Sequence, residues 1–154
     1  MSSFQPAGDA GEEETHIREG LRVLGVERAG LDAVADAIAG PLRHAFAAAV
    51  EALKAGAGRA VLTGMGKSGH IARKIAATLS STGTAAHYVH PAEASHGDLG
   101  MIQPGDVVLA LSWSGETPEL ADMIAYTRRF GVTLIAITSR AESALGRAAD
   151  IKLI

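Results

Sequence analysis

The sequence predicts an α/β protein built on a parallel sheet with helices on both faces. Three observations predict it. Aliphatic runs alternate with helical-period segments along residues 59–154, the pattern of right-handed βαβ crossovers. Hydrophobic residues make up 47% of the chain but aromatics only 4%, so the core is made of Ala, Leu, Val and Ile, which suits close packing of helices on a sheet. Two short segments, Gly64-Met65-Gly66-Lys67-Ser68-Gly69 and Ser112-Trp113-Ser114-Gly115-Glu116-Thr117, each follow an aliphatic run and precede an amphipathic pattern, as loops at the carboxyl ends of parallel strands do.

With 154 residues the chain is the size of one domain and can bury about two thirds of its unfolded surface. Residues 1–15 are rich in Gly, Ser, Pro and Glu with little apolar content, and read as a disordered tail before a single domain over residues 16–154. Ile17, Leu21 and Leu24 recur at helical spacing. Leu31, Val34, Ile38, Leu42, Phe46, Val50 and Leu53 continue it through a second, longer helix. Pro41 interrupts that stretch, so the helix either kinks there or ends at Gly40, with another beginning at Pro41. The period then changes. Residues 59–63 read as a buried strand, 68–81 as a helix and 85–89 as a second strand. Residues 106–111 read as a third strand, 117–130 as a helix, 132–138 as a fourth strand and 151–154 as a fifth.

Composition excludes several classes. With 14 basic and 17 acidic residues the formal charge is -3, and no Lys/Arg cluster is dense enough for a nucleic-acid-binding face. The chain has no cysteine, which removes disulfides, thiolate catalysis and Cys-ligated metals. No apolar run approaches the 18 or so residues of a membrane span, and the N-terminus is acidic and polar, unlike a signal peptide. The expected location is the cytoplasm.

The two Gly/Ser loops point to an anion. Small residues let the backbone approach a ligand, and the following helices present unpaired N–H groups, an arrangement suited to phosphate. Gly64, Gly66 and Gly69 also satisfy the dinucleotide spacing G-x-G-x-x-G. However, the second strand ends His87-Tyr88-Val89-His90 with no carboxylate for the ribose until Glu93. A nucleotide P-loop would require glycine where Val61 stands. What remains is Gly66 for close approach, Lys67 as a cation, and Ser68 as a ligand hydroxyl or helix cap. In the second loop Ser112, Ser114 and Thr117 place three hydroxyls within six residues. Glu116 suits the dipole of the helix it opens, and Trp113 suits a core or interface position as well as stacking on a sugar.

Between the loops lies His90-Pro91-Ala92-Glu93-Ala94-Ser95-His96-Gly97-Asp98-Leu99-Gly100-Met101. Together with the two loops and His70, this segment closely resembles the sugar isomerase (SIS) domain of bacterial arabinose-5-phosphate isomerases, from about residue 20 to Ile154. The resemblance implies a flavodoxin-like three-layer sandwich with a five-stranded parallel sheet flanked by helices. It implies aldose–ketose isomerisation between ribulose 5-phosphate and arabinose 5-phosphate for the Kdo sugar of lipopolysaccharide or capsule. It also implies a homotetramer with active sites near subunit interfaces. Ser68, Ser112, Ser114 and Thr117 match phosphate-binding positions, beside Gly66. Lys67, His96 and Glu119 match positions with active-site roles.

Such an isomerisation needs a base for a carbon-bound proton and a donor for the carbonyl. His96 is read as base or proton shuttle, Glu119 as base or as the residue orienting it, and Lys67 as the electrostatic partner. Alternatively His96, beside Asp98, could hydrogen-bond the loop. His70, His87 and His90 are bystanders. His87, His90 and His96 could in principle hold zinc, but His87 and His90 differ by three positions and a regular strand sends them to opposite faces. No cofactor and no metal are expected. Members of this family continue past the fifth strand with further helices and commonly CBS domains. The chain is therefore expected to be an incomplete domain, with apolar sheet surface left open unless subunit packing or the N-terminal helices cover it. A non-catalytic phosphosugar-sensing module is the alternative function.

Overall fold

The computed structural model describes residues 10–55 and 57–154. It divides into two units, one ending at Pro41 and one running from Leu42 to Ile154.

The first unit is helix α1, Ala10–Ala39. Most of the tail expected over residues 1–15 lies outside the described residues, but residues 10–15 are helical. Low apolar content argues against a core, not against a helix: Glu12 and Glu13 suit the positive end of the dipole, and Thr15 Oγ1 donates to Gly11 O at 2.8 Å. The two helices expected up to Ile38 are one. The break falls after Gly40, whose N–H donates to Asp36 O at 2.9 Å; Pro41 follows, with no N–H to offer.

The second unit contains α2 (Arg43–Ala55), β1 (Ala60–Gly64), α3 (Gly66–Ser81), β2 (Ala86–Tyr88), α4 (Pro91–Ala94), β3 (Val107–Leu111), α5 (Ala121–Phe130), β4 (Thr133–Ile137), α6 (Ala144–Ala148) and β5 (Ile151–Leu153). Single 3-10 turns occupy Asp98–Met101 and Pro118–Leu120. All five strands are parallel, in the order β2-β1-β3-β4-β5. The expected flavodoxin-like architecture is therefore present.

The strands lack polar–apolar alternation because both faces are covered. Val61, Val108, Ala110, Leu134 and Ala136 pack with Leu120, Met123 and Leu145. Ala60, Leu62, Leu109 and Ile135 pack on the opposite side with Ala49, Ala72 and Ala76. Helices α4, α5 and α6 thus form one outer layer, and α2 and α3 the other. The open sheet surface expected at the β5 end is covered on one face: α2 packs against β5, with Ala52 and Leu53 in the same cluster as Ile151 and Leu153. Among the described residues no helix is long and apolar enough to cross a membrane.

At the amino end of the sheet, Asp106 is buried and accepts hydrogen bonds from Arg59 N (2.6 Å), Gln103 N (2.9 Å) and Arg59 Nη2 (3.1 Å). Burial alone would raise its pKa, but these bonds and the guanidinium charge outweigh it and hold the carboxyl below the usual aspartate value. His87 sits on the same side of the sheet as Val61, its register partner. Burial, helped by Arg59 and opposed by Asp106, lowers its pKa.

Candidate functional site

The chain runs from β1 outward to β2 and then returns across β1 to β3, so the connections leaving β1 and β3 diverge. In an open α/β sheet this switch point opens a crevice at the carboxyl ends. Both Gly/Ser loops start there: Gly64 and Leu111, the last residues of β1 and β3, are register partners.

The glycine spacing after β1 has a packing reason that owes nothing to a dinucleotide. A Cβ on Gly64 would lie 2.8 Å from Leu111 O and 3.1 Å from Ser68 C, and one on Gly69 would lie 2.6 Å from Gly64 O and 2.9 Å from Tyr88 Oη. The first turn of α3 is therefore drawn against the ends of β1 and β2, where Tyr88 Oη donates to Gly64 O at 2.7 Å. Gly66 opens the helix at φ +52. Met65 precedes it in extended conformation and gives no side-chain cap. Ser68 is the third residue of α3 rather than its cap, and among the described residues its hydroxyl has no partner. The N–H groups of Gly66, Lys67 and Ser68 lack intrahelical acceptors, as at any helix start. Lys67 is exposed beside them.

After β3 the hydroxyls converge. Ser112, 4% exposed, has its Oγ 2.7 Å from Thr117 Oγ1 and accepts from Gly115 N at 3.1 Å. In that pair one hydroxyl donates to the other, and the second keeps its proton for an outside acceptor. Ser114 Oγ accepts from Glu116 N at 3.2 Å, so its own proton is also free. Thr117 precedes the turn Pro118–Leu120 without capping it; the expected helix start at Thr117 is this turn, and α5 proper begins at Ala121. Trp113 is 81% exposed, which removes the core reading. Glu116 does face a helix N-terminus, but not its own: Oε1 accepts from Ala144 N, the first residue of α6, at 2.9 Å.

The proton-active candidates flank this loop. Helix α4, on the connection after β2, packs against the turn that carries Glu119. His96 follows α4 with its N–H donating to Glu93 O at 2.9 Å. Both side chains are exposed, and among the described residues neither makes a side-chain hydrogen bond or ion pair. The imidazole of His96 is thus not used to hold its loop. His90, set aside as a bystander, stands at the end of β2 with Nδ1 buried and unpartnered, its ring edge-on to Tyr88 at 6.2 Å. Arg73 lies over the Tyr88 ring at 4.0 Å. Among the described residues no three His, Asp or Glu side chains form a group that could hold a metal.

The chain is similar to known proteins in sequence and in fold. Residues 55–154 match the SIS domain family. The chain is 52% identical over 137 residues to the arabinose 5-phosphate isomerase KdsD of Pseudomonas aeruginosa, covering 89% of this chain and 41% of that protein. It is 51% identical over 134 residues to KdsD of Yersinia pestis, covering 87% and 40%. It spans about two fifths of the length of these curated relatives. Among solved structures it resembles an Escherichia coli CFT073 protein in complex with arabinose 5-phosphate, with TM-score 0.77, 37% identity, and coverage of 94% of this chain and 73% of that one. With a parallel five-stranded sheet, hydroxyl loops at its switch point and a family match over residues 55–154, the chain belongs to the SIS domain family.

Proposed function

We propose that the chain is the isomerase domain of an arabinose 5-phosphate isomerase, interconverting D-ribulose 5-phosphate and D-arabinose 5-phosphate. The observation that carries this reading is the loop after β3, where Ser112, Ser114 and Thr117 gather at the switch point. Its likeness to KdsD proteins supplies the substrate. Gly66, Ser68 and the three loop hydroxyls hold the phosphate with uncharged donors, which bind an anion yet let it leave.

From the aldose, a base removes the C2 proton while O1 takes up a proton, giving an enediol with a C1–C2 double bond. A proton then returns to C1 as O2 gives up its own, leaving the ketose. Electrons balance within the sugar, so the reaction calls on no redox cofactor. His96 and Glu119 move the carbon-bound proton, and Lys67 stabilises the oxyanion developing at the carbonyl. Incubation with ribulose 5-phosphate in deuterated water, followed by NMR, should show deuterium entering the sugar together with arabinose 5-phosphate. Absence of both would refute the isomerase. The phosphosugar-sensing alternative has less support, because the identities of 51% and 52% are to proteins named isomerases.

On this reading the product serves Kdo for lipopolysaccharide or capsule, and the protein is a cytoplasmic homotetramer. Ile17, Leu21, Leu24, Leu31 and Val34 of α1 are each more than half exposed, and covering such surface with another subunit gains about 25 cal/mol per Å² before association costs. Sedimentation at micromolar concentration should show an assembly larger than a monomer; a compact monomer would count against it.

A further inference from the structure

We propose that Glu116 is a positioning residue, whose carboxylate fastens the hydroxyl loop after β3 to the start of α6 so that Ser112, Ser114 and Thr117 are ordered before an anion arrives. The inference rests on the phosphate-binding reading of that loop. The segment joining β4 to α6, with the first residues of α6, braces the loop at three places. Trp113 O accepts from Ser139 N at 3.0 Å and Ser139 Oγ at 2.7 Å, Gly115 O accepts from Leu145 N at 3.0 Å, and Glu116 Oε1 accepts from Ala144 N at 2.9 Å. The first two braces use backbone carbonyls. The third depends on one side chain, reaching a residue 28 positions away.

A carboxylate within an anion-binding loop should repel the anion. Here one carboxylate oxygen is engaged by the Ala144 N–H while the charge stays on the loop. Tie and charge therefore act in opposite directions on phosphate affinity, and variants separate them. Glu116→Ala removes both. Glu116→Gln removes the charge and keeps an oxygen for Ala144 N. Ala144→Pro removes only the donor: Ala144 is the first residue of α6, a position that tolerates proline, and Ser143 before it is already extended at φ -69 and ψ 165, as proline requires.

The test titrates inorganic phosphate into the full chain and follows binding by calorimetry and by the fluorescence of Trp113, the single tryptophan, which lies in the loop itself. Far-ultraviolet circular dichroism checks each fold. Ala144→Pro, which cuts the tie and leaves the charge, should weaken phosphate binding about three- to tenfold, the range of one hydrogen bond's net worth. Glu116→Ala, which also relieves the repulsion, should bind more tightly than Ala144→Pro and more weakly than Glu116→Gln. In the Glu116→Ala background Ala144→Pro should cost nothing further, since the bond it would cut is already gone. Glu116→Gln should bind as the unmodified chain does or slightly more tightly. Undiminished binding by Ala144→Pro would overturn the proposal, as would a full further loss when Ala144→Pro is added to Glu116→Ala. Should Ala144→Pro fail to fold, equal binding by Glu116→Ala and Glu116→Gln, which differ in the tie and not in charge, overturns it instead. Failure of the unmodified chain to bind phosphate at all would overturn the phosphate reading itself, a result distinct from these.

Discussion

Alanine at Gly115 tests how the hydroxyl loop is built. Gly115 has φ +66, and a Cβ there would lie 2.5 Å from Ser143 Cβ and 2.8 Å from Thr138 Oγ1. The left-handed conformation costs a non-glycine residue about 1–2 kcal/mol. Crowding adds about 1–3 kcal/mol, and turning the Ser143 hydroxyl aside cannot relieve it because the Cβ clashes too. Ser143 is 2% exposed, caps α6 by accepting from Gly146 N at 3.0 Å, and donates to Arg140 O at 2.7 Å. Displacing it forfeits a cap worth about 1 kcal/mol. The sum is roughly 3–6 kcal/mol, a large part of the 5–15 kcal/mol that holds an ordinary domain together. Gly131 provides the control, with φ +63 and nothing within 4 Å of a Cβ; alanine there carries only the conformational cost of about 1–2 kcal/mol. Urea unfolding followed by circular dichroism should give a midpoint at least about 1 M lower for Gly115→Ala, with a much smaller fall for Gly131→Ala. Equal midpoint shifts in the two variants would refute the crowding.

Three further outcomes are expected. Ser112→Ala and Ser114→Ala should each weaken sugar-phosphate binding, because each removes a donor to a charged acceptor worth about 1.5–3 kcal/mol; unchanged calorimetric affinity in both would remove the loop from the site. Glu119→Gln and His96→Asn should lower turnover by about 10²–10⁴-fold with phosphate affinity nearly intact, and full activity in both would exclude proton transfer by them. Acid should act in two stages. The lowered pKa of His87 gives stability that is present above about pH 6.5 and is lost as pH falls from there through its folded value. The lowered pKa of Asp106 gives stability that is present above its unfolded value, about 3.9, and is lost below it. His87→Leu should therefore flatten the pH dependence of the urea midpoint between about pH 7 and 5. An unaltered slope would exclude His87 as its source.

The helices and strands were legible because a segment's periodicity records what it buries. Strands such as Val107–Leu111 are apolar at every position, since parallel strands in a covered sheet have no solvent face. The glycines after β1 were legible as a close approach, although only the structure shows that Leu111 O and Tyr88 Oη are what they approach. Short elements were not legible. Helix α4 has four residues and α6 has five, too few to display a helical period, and both are held by contacts with α5. The role assigned to Ser68 as a cap failed because a helix's first residue depends on how tightly the preceding turn is drawn against the sheet, and with the close approaches at Gly64 and Gly69 α3 begins at Gly66, two residues early. Glu116 failed differently: α5 begins only at Ala121, and the carboxylate reaches Ala144 N on a distant segment.

Sequence by itself determined the aliphatic parallel sheet, through the alternation of strand and helix patterns, and the two hydroxyl- and glycine-bearing loops that with residues 90–101 mark the family, because each strand, helix or loop is written within its own short stretch. Tertiary structure alone decided the order β2-β1-β3-β4-β5, the pairing of Ser112 with Thr117 and the reach of Glu116 to Ala144. These depend on which distant ends the sheet sets side by side. Local propensity carries no information about that, since the free energy that selects it comes from burying both faces of the sheet at once.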